Sequence, residues 1–266
     1  MPDLPSLVDI HCHLLPGLDD GAADRDVALA MARLAVADGI STVVATPHQS
    51  GGHVGNHNRA ICTLTADFQE FLREQNVPLR VLPGAEVRIE PELVSKLRSG
   101  KLLTLADRRR HVLLELPSEV CFPLDRLLGE LDAAGMVGIL AHPERNMAIL
   151  SQRHLLASLV DAGCLVQITS GSLVGTFGPR VQKFAEWLVM RGLVHFVGSD
   201  AHGARTRRPL LRRAFECIAR LAGPETAADL CCRNPARVAA GETVTLECRS
   251  PGNSRWIDRF WRKRAG

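Results

Sequence analysis

Short apolar runs rich in Val, Ile and Leu recur along the chain, and each is followed by a stretch whose apolar residues fall three and four apart. The runs are Leu7 to Ile10, Thr42 to Ala45, Leu79 to Leu82, Val112 to Leu116, Val137 to Ala141, Leu165 to Ile168 and Val194 to Val197. Runs of this length and composition fit buried strands. Segments 24–38, 58–74, 123–134, 151–162, 179–191 and 209–221 carry a helical stripe. Asp24, Ser151, Pro179 and Pro209 stand where helix starts favour a capping side chain or a proline. Strand then helix, repeated, implies parallel strands. About seven such units predict an α/β fold closed as a TIM-like barrel rather than a doubly wound open sheet.

Composition fits one such unit. The chain has 266 residues, 46% of them hydrophobic and 23% charged, which is what one sizeable core needs. Residues 1–250 are therefore expected to form a single barrel domain. The last residues, 251–266, form a tail in which Trp256, Ile257, Phe260 and Trp261 share roughly one helical face among five basic residues. Such a face suits peripheral contact with an anionic membrane, although a disordered or core-covering tail accounts for it too.

The net charge of +3, from 32 basic and 29 acidic side chains, gives no overall signature of a nucleic-acid binder. No apolar run approaches the ~20 residues needed to cross a bilayer. The first residues lack a basic segment followed by an apolar one, so a cytoplasmic location is expected. The eight cysteines are scattered without a CxxC pair and read as reduced, buried apolar residues.

The polar residues of interest lie where the predicted strands end. His11 and His13 follow the first strand, His48 the second and Glu86 the third. Glu115 closes the fourth and His142 the fifth, while Asp200 and His202 follow the seventh. In a parallel barrel these ends open on one face, so residues far apart in sequence converge there. His11 and His13, two apart on a strand, point to one side with Cys12 turned away. Imidazoles and carboxylates together suit Zn, Fe or Mn. A multinuclear metal site at the C-terminal ends of the strands is the strongest expectation from the residues themselves.

The segments DIHCHLLPGLDDGA (9–22), ATPH (45–48), GAEV (84–87), LLEL (113–116), AHPER (141–145) and GSDAH (198–202) resemble the polymerase-and-histidinol-phosphatase (PHP) superfamily. Within it they are most similar to the bacterial capsule and exopolysaccharide tyrosine-phosphatase branch. The likeness runs from Asp9 to about Val238, and its most specific part is the continuation of HxH into LLPGLDDGA. The resemblance implies a distorted (β/α)7 barrel holding three metal ions, commonly manganese. Carried over by position, His11, His13, Glu86 and Asp200 would hold the first ion. Glu86 would bridge to a second, held also by Glu115 and His142, and Asp20, His48 and His202 would hold the third.

Four carboxylates against three divalent ions leave a positive pocket suited to a phosphate dianion. The family's phosphate-binding arginines match Arg145 and Arg207, with Arg208 beside the latter as a substitute, and guanidinium forks fit phosphate. The expected activity is hydrolysis of phosphotyrosine by a metal-activated hydroxide, with Arg145, Arg207, His48 and Glu115 at the reacting centre. The expected partner is a membrane-linked bacterial tyrosine kinase that controls polysaccharide export. The chain has no tyrosine, so any phosphotyrosine target is another chain. A small-molecule phosphoesterase resembling histidinol phosphatase is the alternative on the same scaffold.

Cys231 and Arg237 have the spacing of a cysteine-based phosphatase, but CCRNPAR lacks the glycines that cradle a phosphate. His53 and His57 either line the entrance or are solvated loop residues, and His195 reads as a hydrogen-bonded structural residue. Gly171 to Gly178 either presents backbone donors at the rim or forms a turn.

Overall fold

The computed structural model describes residues 6–49 and 56–244; His53 and the tail 251–266 lie outside the described residues. The strands are β1 (Leu7–Cys12), β2 (Ile40–Ala45), β3 (His48–Gln49), β4 (Arg80–Pro83), β5 (Glu86–Arg88), β6 (His111–Glu115), β7 (Val137–Ala141), β8 (Leu165–Thr169) and β9 (Phe196–Gly198). All pair in parallel, in the orders β1-β2-β4 and β3-β5-β6-β7-β8-β9.

The two sheets are parts of one ring. β2 and β3 share one strand position, as do β4 and β5. Pairing stops at Ala45 with Pro83 and resumes at His48 with Glu86. Across the gap the Glu86 N–H donates to the Pro47 carbonyl at 3.2 Å. The interruption has local causes: Pro47 has no N–H to give, and a Cβ on Gly84 would come within 2.7 Å of Val44 Cγ1. At the other seam, Asp200 N–H donates to the His11 carbonyl at 2.7 Å and His13 N–H to the Ala201 carbonyl at 2.9 Å. Seven strand positions therefore surround one interior, as the sequence pattern predicts, and the open sheet is set aside.

Alternation along each strand sorts the core into two layers. Val8, Ile10, Val44, Leu113, Ile139, Leu165 and Phe196 share one cluster, closed off by Leu105 and Val238. Their neighbours Val43, Val112, Leu114, Leu140, Val166 and Val197 belong to the other cluster, with helical Leu131, Phe184, Leu188 and Ile218. Burying one such side chain stabilises by about 1.5–3 kcal/mol. The inner parity continues upward from Val44 to His48, Leu113 to Glu115 and Phe196 to Asp200. Strand periodicity thus aims those polar side chains at the barrel mouth.

Helix boundaries refine the sequence reading. Asp24 caps Arg25–Asp38 by accepting from Val27 N–H at 2.8 Å, and Gly39 ends the helix at φ 94°. Pro179 opens Pro179–Met190 as expected. Ser151 does not start a helix; it ends Met147–Ser151, and His154–Asp161 follows after Gln152 leaves helical backbone. Asn146 is the cap there, accepting from Ile149 N–H at 3.0 Å. The helix expected from Pro209 begins at Arg212, because Asp38 of another element accepts the N–H groups of Leu211 and Arg212 at 2.6 and 2.8 Å. No sequence-local pattern reveals a cap supplied across the fold.

Candidate metal centre

The His11 and His13 pair is aimed by an irregularity in β1. Asp9 pairs with Val43 and Cys12 with Ala45, so β1 carries one residue more than β2 over this stretch. Val8 and Ile10 face the barrel interior, and strict alternation would turn both histidines outward. The bulge shifts the parity, so His11 and His13 face inward and Cys12 packs in the outer layer. Asp9 Oδ1 fixes it, accepting from His11 N–H at 3.2 Å and Ser199 N–H at 3.0 Å.

Both imidazoles are fully buried, and each is held by its Nδ1. Gln167 Oε1 lies 2.8 Å from His11 Nδ1, and Asp19 Oδ2 lies 2.7 Å from His13 Nδ1. Each Nε2 is left without a hydrogen-bond partner. Glu86 Oε2 stands 3.4 Å from both nitrogens, and Asp200 Oδ1 stands 3.5 and 3.7 Å from them. These separations exceed hydrogen-bond length. They match the edge of about 3.4 Å expected when four ligands surround one ion at about 2.1 Å. Two orphaned buried nitrogens facing two carboxylates fit a divalent metal ion.

The remaining predicted ligands surround this group. His142 Nε2 lies 2.9 Å from Glu86 Oε1, and His48 Nδ1 lies 3.2 Å from Glu86 Oε2 and 3.9 Å from Glu115 Oε2. Asp20 Oδ1 lies 3.6 Å from His48 Nε2 and 3.3 Å from His202 Nε2. Donor atoms of His13, Asp20, His48 and His202 cluster within 4.8 Å, as do those of His48, Glu86 and Glu115 and those of His11, His142 and Asp200. All nine residues thus meet at one place. The grouping differs in part from that implied by the resemblance, since His48 stands between two groups and His142 groups with His11 and Asp200.

Electrostatics keep the carboxylates charged. Burial disfavours charge on Glu86 and Asp200, yet His11 beside both, and Arg145 beside Asp200, hold them well below the usual range. Glu115 goes the other way, raised by burial and by the neighbouring Glu86. Burial also opposes charge on His13, but its hydrogen bond to Asp19 and the negative charge of the neighbouring Glu86 overcome this and lift it to about 10. His202 is pushed down to about 4 by burial and by His13.

Both expected arginines reach the site. Arg145 Nη2 lies 2.6 Å from Asp200 Oδ2, and Arg207 Nη2 lies 2.7 Å from Asp200 Oδ1. The Arg145 guanidinium lies over the Phe177 ring, 4.8 Å from its centroid, so the Gly171 to Gly178 segment supplies a stacking ring. Arg208 is exposed and is not among the residues that line the cavity. That cavity, about 380 Å³, has His48, Glu86, Glu115, Asp200 and the two arginines in its wall. His142, Asp200 and Arg207 adopt left-handed backbone at φ 36°, 50° and 46°. Non-glycine residues hold such angles where the surroundings over-determine them.

The residues that hold the histidines escape a sequence reading. Asp19 was visible only as one of two adjacent aspartates, and nothing local distinguishes it from Asp20. Gln167 and Asp9 sit inside apolar strands and carry no motif. Asn56, also missed, donates to the carbonyls of Leu18 at 3.1 Å and His48 at 2.8 Å. Asp19 also adds a fifth carboxylate to the charge count, which Arg145 and Arg207 more than offset. Cys231 is fully buried in a helical segment, and burial drives its thiol well above the usual range, so it is no nucleophile. His57 is exposed beside the helix Asn58–Glu74. His195 is structural as expected, its Nδ1 accepting from Val166 N–H at 2.9 Å.

Comparison with known proteins fits this geometry. The sequence model of the family described as capsular polysaccharide synthesis, CpsB/CapC, matches residues 7–240. Tyrosine-protein phosphatase YwqE of Bacillus subtilis is 40% identical over 220 residues, spanning 82% of this chain and 86% of the relative. Tyrosine-protein phosphatase CpsB of Streptococcus pneumoniae is 28% identical over 244 residues, 90% of this chain and 100% of the relative. Crystal structures of YwqE and CpsB from those organisms, described as metal-dependent tyrosine phosphatases, include a chain that superimposes with a TM-score of 0.87. That chain is 37% identical, and the match covers 93% of this chain and 98% of that one.

Proposed function

The chain belongs to the capsular polysaccharide synthesis family CpsB/CapC, and on that premise we propose that it is a metal-dependent protein-tyrosine phosphatase. The observation that carries the reading is the pair of orphaned Nε2 atoms of His11 and His13 facing Glu86 and Asp200, with two arginines at the same carboxylate. His11, His13, Glu86 and Asp200 would hold a first ion. Glu86, Glu115 and His142 would hold a second, and Asp20, His48 and His202 a third. Manganese is the proposed metal, and the donor set also suits Fe or Zn. Bound there, divalent ions supply Lewis-acid polarisation of the phosphoryl group and an activated water.

The protein's own groups do the rest. Gln167 and Asp19 fix the Nδ1 atoms of His11 and His13, which keeps each Nε2 lone pair aimed into the site. Arg145 and Arg207 present planar forks that match the oxygens of a phosphoryl group and stabilise the charge developing on it. Phe177 limits the swing of Arg145. His48 and Glu115, both in the cavity wall, complete the reacting centre. A phenolate leaves readily, so only a weak proton donor is required.

The proposed substrate is a phosphotyrosine on another protein, a membrane-linked tyrosine kinase that controls polysaccharide export. A cytoplasmic location is part of the same proposal, since that is where such a kinase would present its phosphotyrosines. The basic and aromatic tail, 251–266, would add peripheral contact with the membrane, and liposome sedimentation with and without 255–266 tests it. The central experiment compares the manganese-loaded protein on phosphotyrosine peptides and on histidinol phosphate. Turnover of the peptides is expected, and activity confined to the small metabolite would overturn the assignment in favour of a small-molecule phosphoesterase.

A further inference from the structure

Large apolar side chains left exposed are few among the described residues, and they are not scattered. Val120, Phe122 and Met147 are 52%, 36% and 51% exposed. Val120 and Phe122 lie in the loop after β6, and Met147 begins the helix after β7. Single exposed apolar residues need no explanation, but their concentration at one place does.

The place is the rim of the cavity. Asn146, 95% buried because only 5% of it is exposed, donates its Nδ2 to the carbonyls of Pro117 at 2.8 Å and Val120 at 2.9 Å. Met147 N–H donates to the Ser118 carbonyl at 2.9 Å. These three bonds lock the two loops side by side. Ser118 and Asn146 themselves line the cavity with Arg145, and Val120 and Met147 follow them on these two loops just outside it.

We propose that Val120 and Met147 form the seat for an apolar side chain next to the phosphotyrosine in a protein substrate. The inference deepens the proposed function and rests on it. The occupant follows from continuity. An extended peptide advances about 3.3 Å per residue, so a chain whose phosphotyrosine enters the cavity must lay its neighbouring residues across the rim. Extended peptides bind through pockets for alternate side chains, and the rim here is apolar where the cavity is charged. A small aryl phosphate carries no flanking chain to lay across the rim. The patch therefore contributes only to substrates with a chain on either side of the ring.

The test uses the manganese-loaded full chain with Val120→Ser and Met147→Ser combined, both being exposed sites where polar replacement leaves the core intact. Substrates are p-nitrophenyl phosphate and two phosphotyrosine peptides, one with leucine and one with aspartate next to the phosphotyrosine. The expected result is a loss of tenfold or more in kcat/KM on the leucine peptide, carried by KM, with p-nitrophenyl phosphate unchanged. Met147→Leu should retain the wild-type preference. Equal loss on all three substrates, no loss on the leucine peptide, or a change of oligomeric state in light scattering with substrate preference intact would each overturn the rim assignment. A wild-type protein that hydrolyses p-nitrophenyl phosphate but neither peptide would instead overturn the proposed function, and the seat with it.

Discussion

Asp19 holds His13 through a 2.7 Å contact between carboxylate Oδ2 and imidazole Nδ1, and the same oxygen accepts the His48 N–H at 2.9 Å. Its other oxygen accepts from Gly21 N–H at 3.0 Å. One side chain outside the nine predicted ligands thus orients one histidine of the first donor group, anchors the backbone of a second histidine, and folds the loop that carries Asp20.

Replacing Asp19 should weaken metal binding even though it is not assigned as a ligand. Removing such a partner costs roughly ten- to a hundredfold in metal affinity. Asp19→Ala is expected to show this loss in calorimetric titration with manganese, with circular dichroism unchanged. Unchanged affinity would mean the contact is incidental.

Arg145 and Arg207 are expected to act on phosphate rather than on metal. A hydrogen bond to a charged group contributes about 1.5–3 kcal/mol, so Arg145→Lys or Arg207→Lys should lower kcat/KM by roughly ten- to a hundredfold. Metal content measured by elemental analysis should stay at the wild-type level. Arg208→Lys, at an exposed position away from the cavity, should change kcat/KM less than twofold.

Gly198 tests the packing beneath the site. A Cβ there would lie 2.8 Å from His11 Cβ and 2.9 Å from Gln167 Nε2, both in fully buried residues. Gly198→Ala should displace the His11 to Gln167 contact and cost about 1–3 kcal/mol of stability from overpacking. Reduced metal content together with a lower urea midpoint is the expected result, and a wild-type pair of values would contradict it.

Stability should fall on acidification through histidines that are not ligands. Burial pushes His111 and His195 down to about 4. The unfolded chain, titrating near 6.5, takes up their protons first, so their contribution is full above about 6.5 and is lost as pH falls towards 4. Asp9 acts oppositely: burial raises it to about 6, so it favours the fold as pH falls through that value. Urea midpoints from pH 7 to 4 should therefore decline, and His111→Leu should flatten the curve by the share of one proton. Parallel curves for the two proteins would rule out His111 as a contributor.

Much of the fold was legible because period and parity are local. Each apolar run overlaps a strand, the last one through Phe196 and Val197 only, and the residues after it fall at the barrel mouth because parallel strands end on one face. For the same reason all nine candidate ligands could be named from strand ends and motif resemblance. Ser151 and Pro209 misled because helical spacing continues through Gln152, and because the cap at Arg212 comes from Asp38, which is 174 positions away.

The sequence by itself determined the strand and helix order, the parallel pairing and the residue types that gather at the mouth, since these follow from hydrophobic period and side-chain chemistry. Tertiary structure decided which way they point. A single extra residue in β1 turns His11 and His13 inward against the alternation set by Ile10. Gln167 and Asp19, distant or ambiguous in sequence, select which nitrogen of each ring is free. Register and hydrogen-bond partners across a fold depend on contacts between elements, and no local pattern encodes them.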